Sequence, residues 1–188
     1  MDQYAVIKQI SLILGRMLET SVSEAVGTRV PVAFEYTPEA RQGSGSLSLI
    51  FLGLERRSGN LDREYEVEGG AERFRNPPLL LRARYLVSAW ARPPEDQALL
   101  GATLRTFLDN PHLSAEGEEE ERVIGYAGVP SVDLAPVALD EHRELTQALG
   151  IPMAPSMSYW VDFRLQSGKV TPIKRVKERV IDFRKIDG

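Results

Sequence analysis

Apolar residues recur at spacings of three and four along the first part of the chain. This spacing places their side chains on one face of an α-helix, so it predicts an amphipathic N-terminal helix. Gly27 stands where this helix should end, because glycine readily adopts the left-handed conformation that terminates helices. The apolar stripe consists of Val6, Ile7, Ile10, Ile13, Leu14, Met17 and Leu18.

Several later segments have the length and pattern of β-strands. Val30–Tyr36 is a short candidate, and the near-continuous apolar run Leu47–Leu54 predicts a strand covered on both faces. Leu79–Ala91 and Met157–Leu165 alternate apolar and polar residues, which predicts half-buried strands. Thr171–Ile186 is strand-like as well, although it is rich in basic residues.

Residues typical of helix starts and helix ends predict two further helices. Pro93 and Pro94 should begin the first of them, since proline is tolerated in the first turn of a helix. Asp140 is a candidate N-cap of a short helix that ends at Leu149, followed by Gly150 at the C′ position. The apolar stripe of the longer helix is Leu100, Leu104, Phe107 and Leu108.

The remaining segments have weaker patterns. Ser58–Asn76 carries charges of both signs, which indicates either a long exposed loop or a ragged hairpin. Glu116–Glu121 is an acidic tip, and we expect both segments to be mobile in the isolated protein because neither has an apolar period. Arg122–Tyr126 and Val129–Leu139 are two candidate strands, the second at a sheet edge because it contains prolines.

The order of these elements is α, β, β, β, α, β, β, α, β, β. It predicts an α/β fold of the α+β type, in which helices flank a mixed, mainly antiparallel sheet. The sequence shows no internal repeat and no low-complexity linker, and 188 residues fit one domain. We therefore expect a single domain over residues 1–188.

Composition removes several classes of function. The chain has no cysteine, which excludes disulfides, thiol catalysis and zinc–thiolate sites. A net charge of −4 argues against a nucleic-acid-binding domain, since such domains usually carry a strongly basic face. We see neither a signal peptide nor an apolar run long enough to cross a bilayer. We therefore expect assembly in the cytoplasm without direct membrane contact.

No group of residues predicts catalysis or metal binding. His112 follows the end of a helix, and His142 has no second ligand at helical spacing. The glycine-rich segment Gly43–Ser46 precedes a strand and lacks a lysine, so it does not match a phosphate-binding loop. An unbroken acidic run such as Glu118–Glu121 is typical of a solvated surface. We therefore expect no enzyme activity, no metal and no cofactor.

Charge is divided unevenly along the chain. Residues 169–188 hold seven basic and three acidic side chains, whereas the first 168 residues are net acidic. A basic strand on an acidic body suits charge-complementary contact between subunits, or alternatively a charged edge strand that resists aggregation. The candidate interface residues are Lys169, Lys174, Arg175, Lys177 and Arg179 in the tail and Glu118, Glu119 and Glu120 in the acidic tip.

The order of several short motifs resembles a known family. The apolar strand of residues 47–52 precedes the segment 77–87, which begins Pro-Pro-Leu-Leu-Leu. A helix ending in Asp-Asn-Pro-His-Leu, a second helix ending near residues 148–152 and the strand 158–163 follow. Together these segments, which span nearly the whole chain, resemble the tube-terminator or cap proteins of extracellular contractile injection systems, which are similar to phage tail terminators.

The resemblance implies a structural protein that assembles as a hexameric ring. Such a ring would cap the distal end of the inner tube and contact the last layer of sheath, in a particle that can be released. Its partners would then be other copies of itself, the tube protein and the sheath protein. The alternatives are a baseplate or tube-adaptor protein of the same machine, or a small-ligand-binding domain.

Overall fold

A computed structural model describes residues 5–36, 45–59, 64–68, 71–114, 117 and 128–172. Within these ranges the chain forms three α-helices and eight strands. The helices are α1 (Val6–Val26), α2 (Glu95–Asp109) and α3 (Leu139–Leu149). The strands are β1 (Val32–Ala33), β2 (Ser46–Arg56), β3 (Glu64–Glu68), β4 (Ala71–Arg75), β5 (Leu79–Trp90), β6 (Ser131–Ala135), β7 (Ser156–Leu165) and β8 (Val170–Pro172).

The main sheet has five strands in the order β1-β2-β5-β7-β6. β1 runs parallel to β2, and every other neighbouring pair is antiparallel. The predicted mixed, mainly antiparallel sheet with flanking helices is therefore confirmed. β6 lies at one edge, as its prolines predicted, and part of that edge is covered because the amide of Val132 donates to the carbonyl of Pro111 at 2.8 Å.

A second, three-stranded sheet has the order β3-β4-β8. Its first two strands form an antiparallel hairpin in which Glu64 pairs with Arg75 and Glu68 with Ala71. The hairpin interpretation of Ser58–Asn76 is therefore confirmed, and the alternative of a continuous loop is wrong. The segment after β8, together with residues 118–127, lies outside the described residues.

The core lies between the main sheet and the pair α1 and α2. α1 buries one apolar stripe against β1 and β2, and it packs beside α2, which covers β5. Alternate residues of β5 and β7 point into this layer, including the fully buried Tyr85 and Tyr159. The Tyr85 hydroxyl lies 2.8 Å from the hydroxyl of Ser11 on α1, and the ring of Phe107 on α2 packs at a tilt of 55° against that of Tyr159.

Four predictions about individual elements are wrong in part. β2 is covered on both faces only near Leu47–Leu49, since Phe51 and Leu54 are exposed further along the strand. The buried face of α2 holds Leu99, Leu100 and Phe107 with two threonines, and it leaves Leu104 and Leu108 exposed. Asp140 lies in the first turn of α3 instead of at its N-cap, which is Ala138. Val30–Tyr36 forms a strand only at Val32–Ala33.

Candidate interaction surfaces

The sequence-predicted interface residues lie mostly outside the described residues. Lys174, Arg175, Lys177 and Arg179 follow β8, and Glu118, Glu119 and Glu120 precede β6 in that undescribed part. Lys169 is described and exposed, and its backbone amide donates to the Ser167 hydroxyl at 3.2 Å in the turn before β8. β8 is the last strand of the second sheet, so the chain enters the basic tail from a sheet edge.

Neither histidine lies in a cluster of metal-ligand side chains. Over the described ranges no group of three His, Cys, Asp or Glu residues has the geometry to hold a metal ion. His112 is exposed in the segment after α2, where its backbone bridges to Ser131. The Nε2 atom of His142 is buried and makes no hydrogen bond to any described residue.

A charged network occupies the face of the main sheet opposite α1 and α2. Arg82 on β5 lies directly across from Asp162 on β7, and its Nε and Nη2 atoms donate to the two carboxylate oxygens at 2.7 and 2.8 Å. Arg57 donates to the same carboxylate at 2.7 Å. These hydrogen bonds lower the pKa of Asp162 and raise that of Arg82. Asp162 therefore stays ionised, and each of its carboxylate oxygens accepts at least one hydrogen bond from an arginine.

Trp160 lies between two arginines of this network. The guanidinium carbons of Arg82 and Arg84 lie 5.4 and 5.1 Å from its ring, within the range of cation–π interaction. Arg84 also donates to Ser158 at 3.1 Å and pairs with Glu141 of α3 at 2.7 Å. The network thus links β5, β7 and α3 through charged side chains on one face of the main sheet.

Sequence reasoning did not select this network. The only available signal was alternation: Arg82 and Arg84 occupy the polar positions of one strand, and Trp160 and Asp162 those of another. The register that places Arg82 opposite Asp162 cannot be read from either strand alone.

Two grooves open on the helix-facing side of the main sheet. The α1 groove lies where α1 meets β2, and the ring of Phe51 within it packs edge-on against Tyr85 at 5.5 Å between ring centroids. Phe34 covers Gly15 of α1, where a Cβ atom would come within 2.7 Å of the ring. The α1 groove is lined by Lys8, Ser11, Leu12, Phe34, Leu49 and Phe51.

The α2 groove lies at the other edge of the sheet, where α2 meets β6. Its floor includes Tyr159, and burial raises the pKa of this tyrosine to about 12. Its walls include the exposed side chains of Leu104, Leu108 and Leu134. Exposed apolar groups that are gathered in one place mark surfaces of interaction more often than scattered ones do. The side chains that line the α2 groove are Leu104, Phe107, Leu108, Pro111, Val132, Leu134 and Tyr159.

α1 is long, but no helix in the described part of the chain is both long and apolar enough to cross a membrane.

Comparison with known proteins identifies a family and two similar folds. The family model described as the Pvc16 N-terminal domain matches residues 9–176. The sheath/tube terminator of the extracellular contractile injection system PVC, in its extended state, superposes with a TM-score of 0.63 at 15% identity, covering 94% of this chain and 65% of that one. The tube-terminating cap of the anti-feeding prophage superposes with a TM-score of 0.64 at 20% identity, covering 93% of this chain and 60% of that one. No curated protein matches the sequence.

Proposed function

Because the chain belongs to the Pvc16 N-terminal domain family, we propose that it caps the end of the inner tube and sheath of a contractile injection system. The observation that carries the proposal is the family match over residues 9–176, which includes the core of the fold. Two solved structures of the same fold are a tube terminator and a tube-terminating cap. The chain spans 65% and 60% of their lengths, so the activity of those whole proteins is extended to this chain as a proposal.

The proposed assembly is a hexameric ring formed by one domain over residues 1–188. The ring lies on the last layer of tube protein and contacts the last layer of sheath protein. It assembles in the cytoplasm and becomes part of a phage tail-like particle. The tail residues Lys169, Lys174, Arg175, Lys177 and Arg179, with the acidic tip Glu118–Glu120, are proposed contacts within this assembly.

The proposed role is structural and not enzymatic. Asp162, the described carboxylate with a clearly lowered pKa, is held by Arg82 and Arg57 and is therefore a poor general base. The grooves at the two sheet edges are open and largely apolar, as protein contact surfaces are near their centres.

Electron microscopy of particles produced with and without this protein tests the proposal. Particles without it should lack density at the end remote from the baseplate, and their tubes should vary in length because nothing terminates polymerisation. Restoring the gene should restore both features, and a tagged copy should label only that end. Label at the baseplate end would instead support the baseplate or adaptor alternative, and normal capped particles from the deletion strain would contradict the proposal.

A further inference from the structure

We propose that the outer edge of β3 binds residues 175–179 in the basic tail of a neighbouring copy, which add to the second sheet as a fourth strand. The inference rests on the proposed function, since it takes a ring of identical copies as its starting point. It deepens that proposal because it names the surface that the basic tail meets.

The second sheet continues the three central strands of the main sheet. β3 follows β2 in the chain, β4 precedes β5 and β8 follows β7, so the order β3-β4-β8 repeats the order β2-β5-β7. Among the described residues β3 pairs with β4 and with no other strand. An edge strand presents backbone N–H and C=O groups that can pair with a strand from another molecule. The outer side of β3 is therefore a place where a strand can be added.

β3 carries an acidic residue at every second position. Its five residues are Glu-Tyr-Glu-Val-Glu, and the two-residue period of a strand places Glu64, Glu66 and Glu68 on one face. On the inner side, the register sets Arg75 opposite Glu64 and Arg73 opposite Glu66. A strand added on the outer side meets the same three glutamates.

The basic tail carries the complementary pattern. It follows β8 outside the described residues, so the pattern is one of sequence: Arg175, Lys177 and Arg179 stand at every second position. The three cations match the three glutamates in number and spacing, and Lys177 falls opposite Glu66 whether the added strand runs parallel or antiparallel to β3. Opposite charges directly across two strands stabilise the pairing.

The arginines of β4 leave room for a second cation at each glutamate. A carboxylate has two oxygens and about four acceptor positions. Asp162 uses them in this way in the main sheet, where it accepts hydrogen bonds from both Arg82 and Arg57. Glu68 lies opposite Ala71, so its neighbour on the inner side is uncharged. The outer edge of β3 therefore favours a basic strand.

Geometry excludes the copy's own tail as the occupant. β8 and a strand added outside β3 are three strand spacings apart, which is about 14 Å. β8 ends at Pro172, and the three steps from there to Arg175 span at most about 11 Å, at 3.6 Å each. Arg175 therefore cannot reach the outer side of its own β3, whereas the tail of a neighbouring copy has no such limit.

The charges also select unlike surfaces. Two β3 edges in contact would set three glutamates against three, and like charges directly across two strands are destabilising. Contact of β3 with the basic tail uses two different surfaces of one chain, so every copy that joins leaves one of each free. Such heterologous contacts are the kind that close identical copies into a ring.

Cysteine cross-linking tests this pairing, because the natural chain contains no cysteine. Glu66→Cys and Lys177→Cys are made as separate variants, since these residues are the centres of the two patterns. Residues directly opposite on neighbouring strands have Cα atoms about 5 Å apart, within the 7 Å or so that a disulfide allows. Under mild oxidation, in concentrated purified protein or in particles, the mixture should give at least tenfold more disulfide-linked dimer than either variant alone.

Lys169→Cys supplies the matched control. Lys169 is exposed and loses the same basic side chain, but it lies in the turn before β8. Its mixture with Glu66→Cys should give only background product. Equal yields with Lys169→Cys and Lys177→Cys would mean random collision and would overturn the inference.

Glu68→Cys guards against misfolding of Glu66→Cys, because Glu68 lies opposite Ala71 and its loss leaves no arginine of β4 without a partner. It is mixed separately with Arg175→Cys and with Arg179→Cys. One of the two mixtures should cross-link, Arg179→Cys if the added strand is parallel to β3 and Arg175→Cys if it is antiparallel. Background yields in both mixtures would contradict the proposed strand addition.

A chain that carries both Glu66→Cys and Lys177→Cys identifies the copy that supplies the tail. It should give a ladder of linked chains, because each copy offers one edge and one tail. A monomer with an internal disulfide as the main product would mean that the tail pairs with its own β3, and the proposed contact between copies would be wrong.

Particles separate this inference from the proposed function. Absence of the mixed Glu66→Cys and Lys177→Cys product from both purified protein and particles overturns the strand addition, even if the protein caps the tube. The mixed product in purified protein, together with normally capped particles from the deletion strain, overturns the capping role and leaves the contact between copies established.

Discussion

Asp162 connects three parts of the fold through one carboxylate. It accepts hydrogen bonds from Arg82 on the neighbouring strand and from Arg57 beyond the end of β2. Its side chain is only 15% exposed, so the two guanidinium groups replace much of the water that would otherwise solvate it. Such charge-assisted, bidentate hydrogen bonds contribute more to stability than an exposed ion pair does.

We predict that Asp162→Asn lowers the free energy of unfolding by about 2 kcal/mol at neutral pH, since it leaves a half-buried Arg82 without its partner. The folded-state pKa of Asp162 is lowered, so its stabilising effect is present above the ordinary carboxyl pKa and is lost as the pH falls through the lowered value. The difference between the natural chain and the variant should therefore shrink below about pH 4.

Urea unfolding at a series of pH values measures this difference. The matched control is Asp109→Asn, which removes an exposed i,i+4 ion pair with Arg105 and should cost less than about 0.5 kcal/mol. An Asp162→Asn effect no larger than that of the control would show that the network contributes no more than a surface ion pair.

At the scale of the elements, the sequence predicted the helices and long strands well. Periodicity and glycine signals were enough for α1, α3, β5 and β7, because local pattern and burial agree there. Several of the errors, at Phe51, Leu54, Leu104 and Leu108, concern exposed apolar residues that a sequence pattern assigns to the core. An apolar residue that packs against a second molecule has the same pattern as one that packs internally. Only the folded arrangement, in which two helices cover one face of a five-stranded sheet, shows which apolar residues remain exposed.

Glycine at two positions should respond to the same substitution in opposite ways. Gly27 ends α1 with φ of +73°, and Gly101 lies inside α2, and neither has atoms within 4 Å of the place where a Cβ would lie. Gly27→Ala should destabilise the protein by about 1 kcal/mol, because only glycine adopts the left-handed conformation without steric cost. Gly101→Ala should stabilise it by up to about 1 kcal/mol through helix propensity.

Thermal unfolding of the two variants and of the natural chain shows whether Gly27→Ala lowers the stability and Gly101→Ala raises it. Since the added methyl group is identical and meets no neighbour in either case, backbone conformation alone separates them. Stabilisation by Gly27→Ala would mean that α1 continues past its present end.

At the scale of the whole molecule, the order of motifs indicated the family, and the match over residues 9–176 confirms it. The predicted interface residues are not tested in the same way. The charge division pointed to the basic tail, which follows β8 outside the described residues, so that prediction stays open. The charged network around Asp162 and the two grooves depend on strand register and on sheet order, which are properties of the assembled fold and not of any one segment.

The basic tail should act on assembly and not on folding. Residues 169–188 hold seven basic side chains against three acidic ones on a chain that is acidic overall. Replacing Lys174, Arg175 and Lys177 with glutamate should leave the unfolding free energy within about 0.5 kcal/mol, as surface substitutions usually do. It should lower cap occupancy and broaden the tube-length distribution, because steering toward an acidic partner is lost.

A matched triple variant, Arg29→Glu, Arg92→Glu and Arg143→Glu, makes the same change in net charge at exposed positions outside the tail and both grooves. If the tail acts by its position, only the tail variant should lose occupancy. Raised salt should reproduce its defect in the natural protein, since screening acts on the same attraction. Uniform tubes with normal caps from a folded tail variant would mean that the tail is a solvated edge strand, whose charges serve to keep it from pairing with other chains.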